Sequence, residues 1–482
     1  MSWVHLPNIN YKISFKFLIL TFSFFASLFV FGQDSIDFLI KKHEIPESKL
    51  SIILEDNESG KRLIDINSNR SRSPGSVTKL FTAFAAIDLL GSQYQWKTEA
   101  YIDQKDNGKD SIDYILIRGG GDPSFSINDL ESFILKIRAT GIREIRNGIH
   151  LDQSFFKQRK KSTGSFDQSP LRPYNTMHSS LIVNSNKLDL SFRFNSKTKE
   201  IVITPSFLPT GVSIQNNLLI GSGDCKDFRS QVNFKERLEG KTIMILINGF
   251  YPVQCPNFDH DLAITETEHY FYGAFKKIWM DSGGTINGHY KRRKKSKMNA
   301  LIAHMDSEEL NSILRLTLKE SDNLASRNIF LSFAEKTNQT KLRNTRKAVY
   351  KSMKNNDVQW HNRNFIENGS GLSRKTRLRP ESVMGLLKKI DQETKFLEIK
   401  SMLPVSGIDG TLKNIYRSET LRGQMKLKTG TLNGVRCLAG FITSKTGKKY
   451  RFVFMHNNYE EYEYDLRSFT TDLLNLIVTD QY

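Results

Sequence analysis

Ser73-Pro74-Gly75-Ser76-Val77-Thr78-Lys79 runs directly into Leu80, Phe84, Ile87 and Leu90 at helical spacing, and Gly91 supplies a stop. Apolar residues three and four apart share one face, so the pattern predicts a helix from Lys79 to Leu90 that ends at the glycine. Ser76 and Lys79 stand three positions apart at its start, where both side chains fall on one face and the amine can reach the hydroxyl. A serine hydroxyl is a poor nucleophile at neutral pH. An adjacent amine serves as its base once burial and neighbouring charge depress the amine pKa. A second Ser-x-x-Lys, Ser196-Lys197-Thr198-Lys199, sits in a polar hairpin turn and lacks the apolar helix that follows Ser76.

Upstream of the helix, residues 50–56 and 62–67 alternate on either side of Asn57-Glu58-Ser59-Gly60, the pattern of a β-hairpin. Downstream, from about residue 98 to 297, short strands and turns predominate and the region reads as mostly β. Helical spacing returns at residues 307–318, 324–335 and 381–390. Residues 425–428, 435–443 and 450–456 then read as successive antiparallel strands, and 466–478 as an amphipathic closing helix. The two mixed ends enclose the β-rich middle. One α/β domain, residues 33–97 and 298–482, is therefore expected to be split by an insertion at 98–297, with a smaller nested module at about 188–257.

The chain has 482 residues, 38% of them apolar, which suffices for two or three domains. Lys12 and Lys16 precede an apolar stretch, residues 17–31, that falls short of the roughly 20 residues of a membrane span and matches a signal peptide ending near residue 32. An uncleaved anchor is the alternative reading. Export permits disulfides, and Cys225 with Cys255 are the candidates, worth about 3–4 kcal/mol if their geometry allows the bond. Cys437, in an apolar run, reads as a small buried hydrophobe. The net charge of +19 is spread along the chain, with one dense run at Lys291–Lys297. This distribution argues against nucleic acid; it suits the anionic envelope and the carboxylates of peptidoglycan, and a functionless solvated face fits the dense run equally well. The ten histidines are scattered without metal-ligand spacing, so neither a metal nor a cofactor is expected.

Two further motifs follow Ser76 in order. Ser321-Asp322-Asn323 opens a helical stretch; alone it reads as a helix cap. Lys428-Thr429-Gly430-Thr431 ends an alternating strand, where a lysine and a hydroxyl can bind a carboxylate and Gly430 lets the backbone approach closely. Lys445-Thr446-Gly447, by contrast, joins two strands as a hairpin turn. The order S-x-x-K, S-D-N, K-T-G is the signature set of penicillin-binding proteins and serine β-lactamases. Because the gap from Ser76 to Ser321 is too long for a class A β-lactamase and holds the β-rich insertion, the chain resembles the class C low-molecular-mass penicillin-binding proteins, the D-alanyl-D-alanine carboxypeptidase and endopeptidase family. Gly119-Gly120-Gly121-Asp122-Pro123, Asn184-Ser185-Asn186, residues 369–374, residues 403–412 and Leu438-Ala439-Gly440-Phe441 look like that family's stretches.

The resemblance implies an α/β (α+β) penicillin-binding transpeptidase/β-lactamase-like domain, an antiparallel sheet with helices, split by a two-part β-rich insertion. It implies Ser76 as nucleophile, Lys79 as general base, Ser321 as proton relay and Asn323 as the group that orients Lys79 and the substrate amide. Lys428 and Thr429 would hold the terminal carboxylate, the backbone N–H groups of Ser76 and Thr431 would form the oxyanion hole, and Arg374 would pair with the far carboxylate of the substrate side chain. The implied substrates are peptidoglycan stem peptides, with β-lactams as inhibitors. The expected activity is that of a periplasmic D-Ala-D-Ala carboxypeptidase, with added D,D-endopeptidase action left open. A β-lactamase and a non-catalytic wall-binding scaffold are the rivals. The sequence departs from the family at Asn368, where Asp is usual, and at residues 172–180, which lack its Trp-rich motif.

Overall fold

The structure, a computed structural model, describes residues 35–156, 164–334, 342–458 and 465–482. The expected signal peptide lies outside the described residues. Among them no helix is long and apolar enough to cross a membrane.

Five antiparallel strands form the central sheet, in the order Arg62–Ile66, Leu50–Asp56, Lys449–Asn457, Val435–Thr443, Met425–Leu432. Most of its residues are buried because both faces are covered, and strand alternation divides them between two cores. Ile53, Cys437 and Val453 face the first core with Leu80, Phe84, Leu314, Ile329 and Leu387. Ile52, Leu54, Phe452 and Phe454 face the second, with Phe469, Leu473 and Ile477 of the closing helix Leu466–Val478. The helix Thr78–Leu89 is buried from Thr78 to Ile87, so it runs through the middle of the first core rather than along its surface. Met425–Leu432 is left as the sheet edge beside its N-terminus.

The chain leaves this domain along Lys97–Asp103 and returns along Asn299–Asp306, and these two strands pair with each other. They belong to a second five-stranded sheet, ordered Tyr290–Arg292, Ile149–Asp152, Ile115–Gly119, Lys97–Asp103, Asn299–Asp306. This pairing moves the return junction expected at 297/298 to the end of Asn299–Asp306. The nested module is two three-stranded sheets, one of Lys187–Asn195, Glu200–Pro205 and Phe258–Ala263, the other of Val212–Gly221, Val232–Glu239 and Thr242–Pro252. It therefore extends to Ala263, past the expected limit of 257, because Phe258–Ala263 pairs back onto Lys187–Asn195. Cys225 and Cys255 are disulfide-bonded within it.

The mostly-β reading of the insertion needs correction at two helices, Ile127–Ala139 and Thr267–Asp281, which pack their apolar stripes into the insertion core. A third unforeseen helix, Leu342–Asn355, lies in the catalytic domain. The helix expected at 324–335 spans Asn323–Ser332, and that expected at 307–318 spans Leu310–Lys319; residue 335 lies outside the described residues.

Candidate active site

A tight 3-10 turn, Gly75–Val77, delivers Ser76 to the start of the Thr78–Leu89 helix. No side chain caps this helix, so the Ser76 hydroxyl is not consumed there. It lies 2.9 Å from Lys79 Nζ. The same amine donates to Asn323 Oδ1 at 2.7 Å and to the Ser370 carbonyl at 2.7 Å. Both of those oxygens only accept. A neutral amine gives its two N–H groups to them and keeps its lone pair for the Ser76 hydroxyl, the arrangement a general base requires. The shift is toward that neutral form: burial pushes the Lys79 pKa well down, and the charges of Lys428 and Arg327 push in the same direction against Asp322.

Ser321 and Asn323 reach the site from the opposite side because Asp322 caps the helix Asn323–Ser332, its carboxylate accepting from Ala325 N at 2.9 Å. The cap reading and the site reading of this tripeptide thus both hold. Ser321 has φ of 60°, a left-handed conformation uncommon for serine. Its hydroxyl accepts from Lys428 Nζ at 2.9 Å. Lys428 is fully buried, and burial lowers its pKa to about 7.

Lys428-Thr429-Gly430-Thr431 forms the sheet edge along Ser76. A Cβ on Gly430 would stand 2.4 Å from the Pro74 carbonyl and 3.0 Å from Ser76 N, so only glycine lets the strand lie this close. The Thr429 hydroxyl meets that of Thr411 at 2.9 Å. The loop carrying Thr411 is fixed by Lys319, which donates to Asp409 Oδ2 at 2.6 Å and to the Leu403 carbonyl at 2.7 Å.

The chain continues from the Ser370 carbonyl into a pocket of about 270 Å³ that Arg374 shares with Phe166, Met177, His178 and Arg327. Arg374 is held there, donating to the Asn433 carbonyl at 2.7 Å and lying 5.1 Å over the Phe166 ring. Asn368 organises this turn: its Oδ1 accepts from Ser370 N and Oγ and its amide donates to the Leu372 carbonyl. The amide thus supplies the turn-forming acceptor that an aspartate would. The three motifs converge, while Arg374 stands apart in the adjoining pocket. Two contributors were not anticipated. The Ser370 carbonyl is a backbone group and carries no side-chain signal; Arg327, one helical turn after Asn323, donates from Nε to the Asn323 carbonyl at 3.0 Å. Cys437 is buried beneath the site, paired with Gly430 across the sheet, its thiol donating to the Ser73 carbonyl at 3.4 Å and its pKa pushed up by desolvation. Among the described residues no group of three His, Cys, Asp or Glu could hold a metal ion.

Comparison with known proteins places this arrangement. The chain is 25% identical over 440 residues to D-alanyl-D-alanine carboxypeptidase DacB of Haemophilus influenzae, covering 90% of each chain. It is 22% identical over 433 residues to a D-alanyl-D-alanine carboxypeptidase of Actinomadura, covering 86% of this chain and 79% of the relative. The fold matches the crystal structure of Haemophilus influenzae penicillin binding protein 4 with a TM-score of 0.77 at 23% identity, over 93% of this chain and 99% of that one. The same protein in complex with a β-lactam matches with a TM-score of 0.71 at 21% identity, over 90% and 96%. Residues 33–473 match the model of one peptidase family, an interval that contains all three motifs and the whole insertion, and the chain therefore belongs to the D-Ala-D-Ala carboxypeptidase 3 (S13) family of serine hydrolases.

Proposed function

We propose that the chain releases terminal D-alanine from peptidoglycan stem peptides through an ester on Ser76, with the residue roles that follow. Lys79 takes the Ser76 proton as Oγ attacks the carbonyl of the penultimate D-alanine. The oxyanion forms between the N–H groups of Ser76 and Thr431, donors of a kind worth about 3–4 kcal/mol each. The tetrahedral adduct then collapses: the C–N bond breaks, and Ser321 relays to the leaving amine the proton that Lys79 took from Ser76, which returns Lys79 to its neutral form. Water, deprotonated at Lys79, attacks the ester and regenerates the Ser76 hydroxyl. Lys428 and Thr429 hold the free carboxylate of the departing D-alanine, and Asn323 aligns Lys79 with the substrate amide. Arg374 and its pocket take the carboxylate at the far end of the substrate side chain.

The observation that carries this reading is the Lys79 amine, buried and committed to two acceptors, with its third direction toward Ser76. A D,D cross-link joins D-alanine to an amine whose carbon also bears a free carboxylate, so the same site accommodates endopeptidase substrates. A β-lactam presents an amide and a carboxylate in the same relation, which supports trapping of Ser76 by penicillin. Work outside the cytoplasm is supported by the Cys225–Cys255 bond. The basic surface favours peripheral attachment to the anionic envelope.

Fluorescent penicillin followed by mass mapping is expected to place a slowly cleared adduct on Ser76, and a pentapeptide stem to yield free D-alanine. Lys79→Ala is expected to lose acylation by about 10²–10⁴-fold, the contribution of a positioned base, with its circular dichroism unchanged. Near-normal acylation of that variant removes Lys79 from the role; rapid turnover of the drug would make the chain a β-lactamase.

A further inference from the structure

The loop that forms one wall of the Arg374 pocket has a second side. Residues 164–166, Asn175, Met177 and His178 face that pocket, while residues 168–172 face an open cleft of about 670 Å³ against the nested module's strand Val232–Glu239. Asp167 shapes the loop between them, accepting from Ser169 N at 3.1 Å, Asn175 Nδ2 at 2.7 Å and Tyr174 OH at 2.7 Å. The Tyr174 carbonyl accepts from Arg327 at 2.8 Å, and Arg327 also holds the Asn323 carbonyl. One short segment therefore joins the cleft to the catalytic helix.

The cleft is built for an anion with some apolar bulk. Its wall includes the Phe234 and His260 rings, stacked at 4.5 Å with 4° between planes. Burial and the nearby Arg172 charge lower the His260 pKa, which leaves that wall uncharged at neutral pH. Arg229 lies 5.4 Å over the Phe258 ring, which fixes the guanidinium at the rim. Arg172, Arg229 and Lys235 all line the cleft, and among the described residues none of them has a carboxylate partner. Two acids face them. Glu236 is already bonded by Thr265 N at 2.9 Å and Thr265 Oγ1 at 2.6 Å, and Glu266 is exposed at the edge. Unpaired cations around a concavity concentrate anions, and guanidinium groups match carboxylates in particular.

We infer that this cleft is a second substrate-binding site, which takes the carboxylate-bearing stem peptide of a strand that is not being cleaved. The inference rests on the wall-peptide reading above. Holding a polymer at two points raises the effective concentration of its scissile peptide without changing the chemistry at Ser76.

The probe is a soluble stem tripeptide without a D-Ala-D-Ala bond, titrated calorimetrically into the full chain after penicillin has filled the Ser76 site, with occupancy checked by mass. Binding to the acylated protein is expected, weakened about tenfold or more in the double variant Arg172→Ala/Lys235→Glu. That variant is expected to hydrolyse free pentapeptide normally and to release D-alanine from polymeric peptidoglycan about 5- to 10-fold more slowly. Arg229→Ala tests the same site independently; should it misfold through loss of its packing on Phe258, the two exposed positions carry the test. Absence of binding to the acylated protein overturns the inference, as does binding that the double variant leaves unchanged. Failure of the wild type to cleave free pentapeptide is a separate result that sinks the underlying peptidase reading.

Discussion

Two buried lysines share one site, and their charges decide which protonation state works. In the proposed mechanism Lys428 must be charged to hold a carboxylate, whereas Lys79 must be neutral to accept a proton. The charge on Lys428 itself lowers the Lys79 pKa, so repulsion favours a single proton on the pair, and the proposed mechanism works with that proton on Lys428. The sign of the pH dependence follows. As pH falls through the depressed Lys79 pKa the base is lost; as pH rises through about 7, Lys428 loses its charge and carboxylate binding weakens. A bell-shaped kcat/KM profile for a pentapeptide is expected, because kcat/KM reports the free enzyme's ionisations. Lys428→Arg keeps its charge, so whatever activity survives should have its alkaline limb displaced upward. An alkaline limb unmoved in that variant would assign it to another group.

Elements place these residues by packing, and the central helix shows how much depends on it. Phe84 stacks on Phe396 with centroids 3.8 Å apart, both fully buried. Phe84→Ala is expected to cost about 3–5 kcal/mol in urea unfolding, the range for a large buried aromatic; a loss below about 1 kcal/mol would mean the core closes over the gap. Elements of this kind were legible because their apolar pattern is long and continuous, as in the strands Val435–Thr443 and Lys449–Asn457. Ile127–Ala139 carries a clear signal of its own: Ser126 and Asp129 form a capping box, and Leu130, Phe133, Ile134 and Ile137 repeat at helical spacing, although alternating runs flank it on both sides. Leu342–Asn355 is different. It buries only Thr345, Val349, Ser352 and Met353, at helical spacing but with two of the four polar, and is otherwise rich in Lys, Arg and Asn, so its apolar stripe is thin. The site divides the same way. Side-chain motifs announced Ser76, Lys79, Ser321, Asn323 and Lys428, while the Ser370 carbonyl depends on a turn no residue type specifies.

At the scale of the molecule, a peptidase centre must be held against an insertion about as large as the region around it. The junction strands Lys97–Asp103 and Asn299–Asp306 pair with each other, so the insertion leaves and returns at one place and could pivot there. Contacts farther along resist this. Asn328, on the same helix as Asn323, donates through its amide to the Gly121 carbonyl at 3.2 Å and the Ser179 carbonyl at 3.0 Å. Both carbonyls belong to the insertion and all these groups are buried, so Asn328 fastens the catalytic helix to two insertion loops at once. Asn328→Ala strands two buried acceptors, at about 1–3 kcal/mol each where no water replaces the donor. A lowered Tm is expected, with faster amide exchange around Gly121 and Ser179, and penicillin acylation of Ser76 should persist because Lys79 keeps its partners. A Tm equal to the parent's would mean that these two hydrogen bonds do not hold the insertion, which would then rest on the paired junction strands and on contacts such as that of Arg327 with the Tyr174 carbonyl.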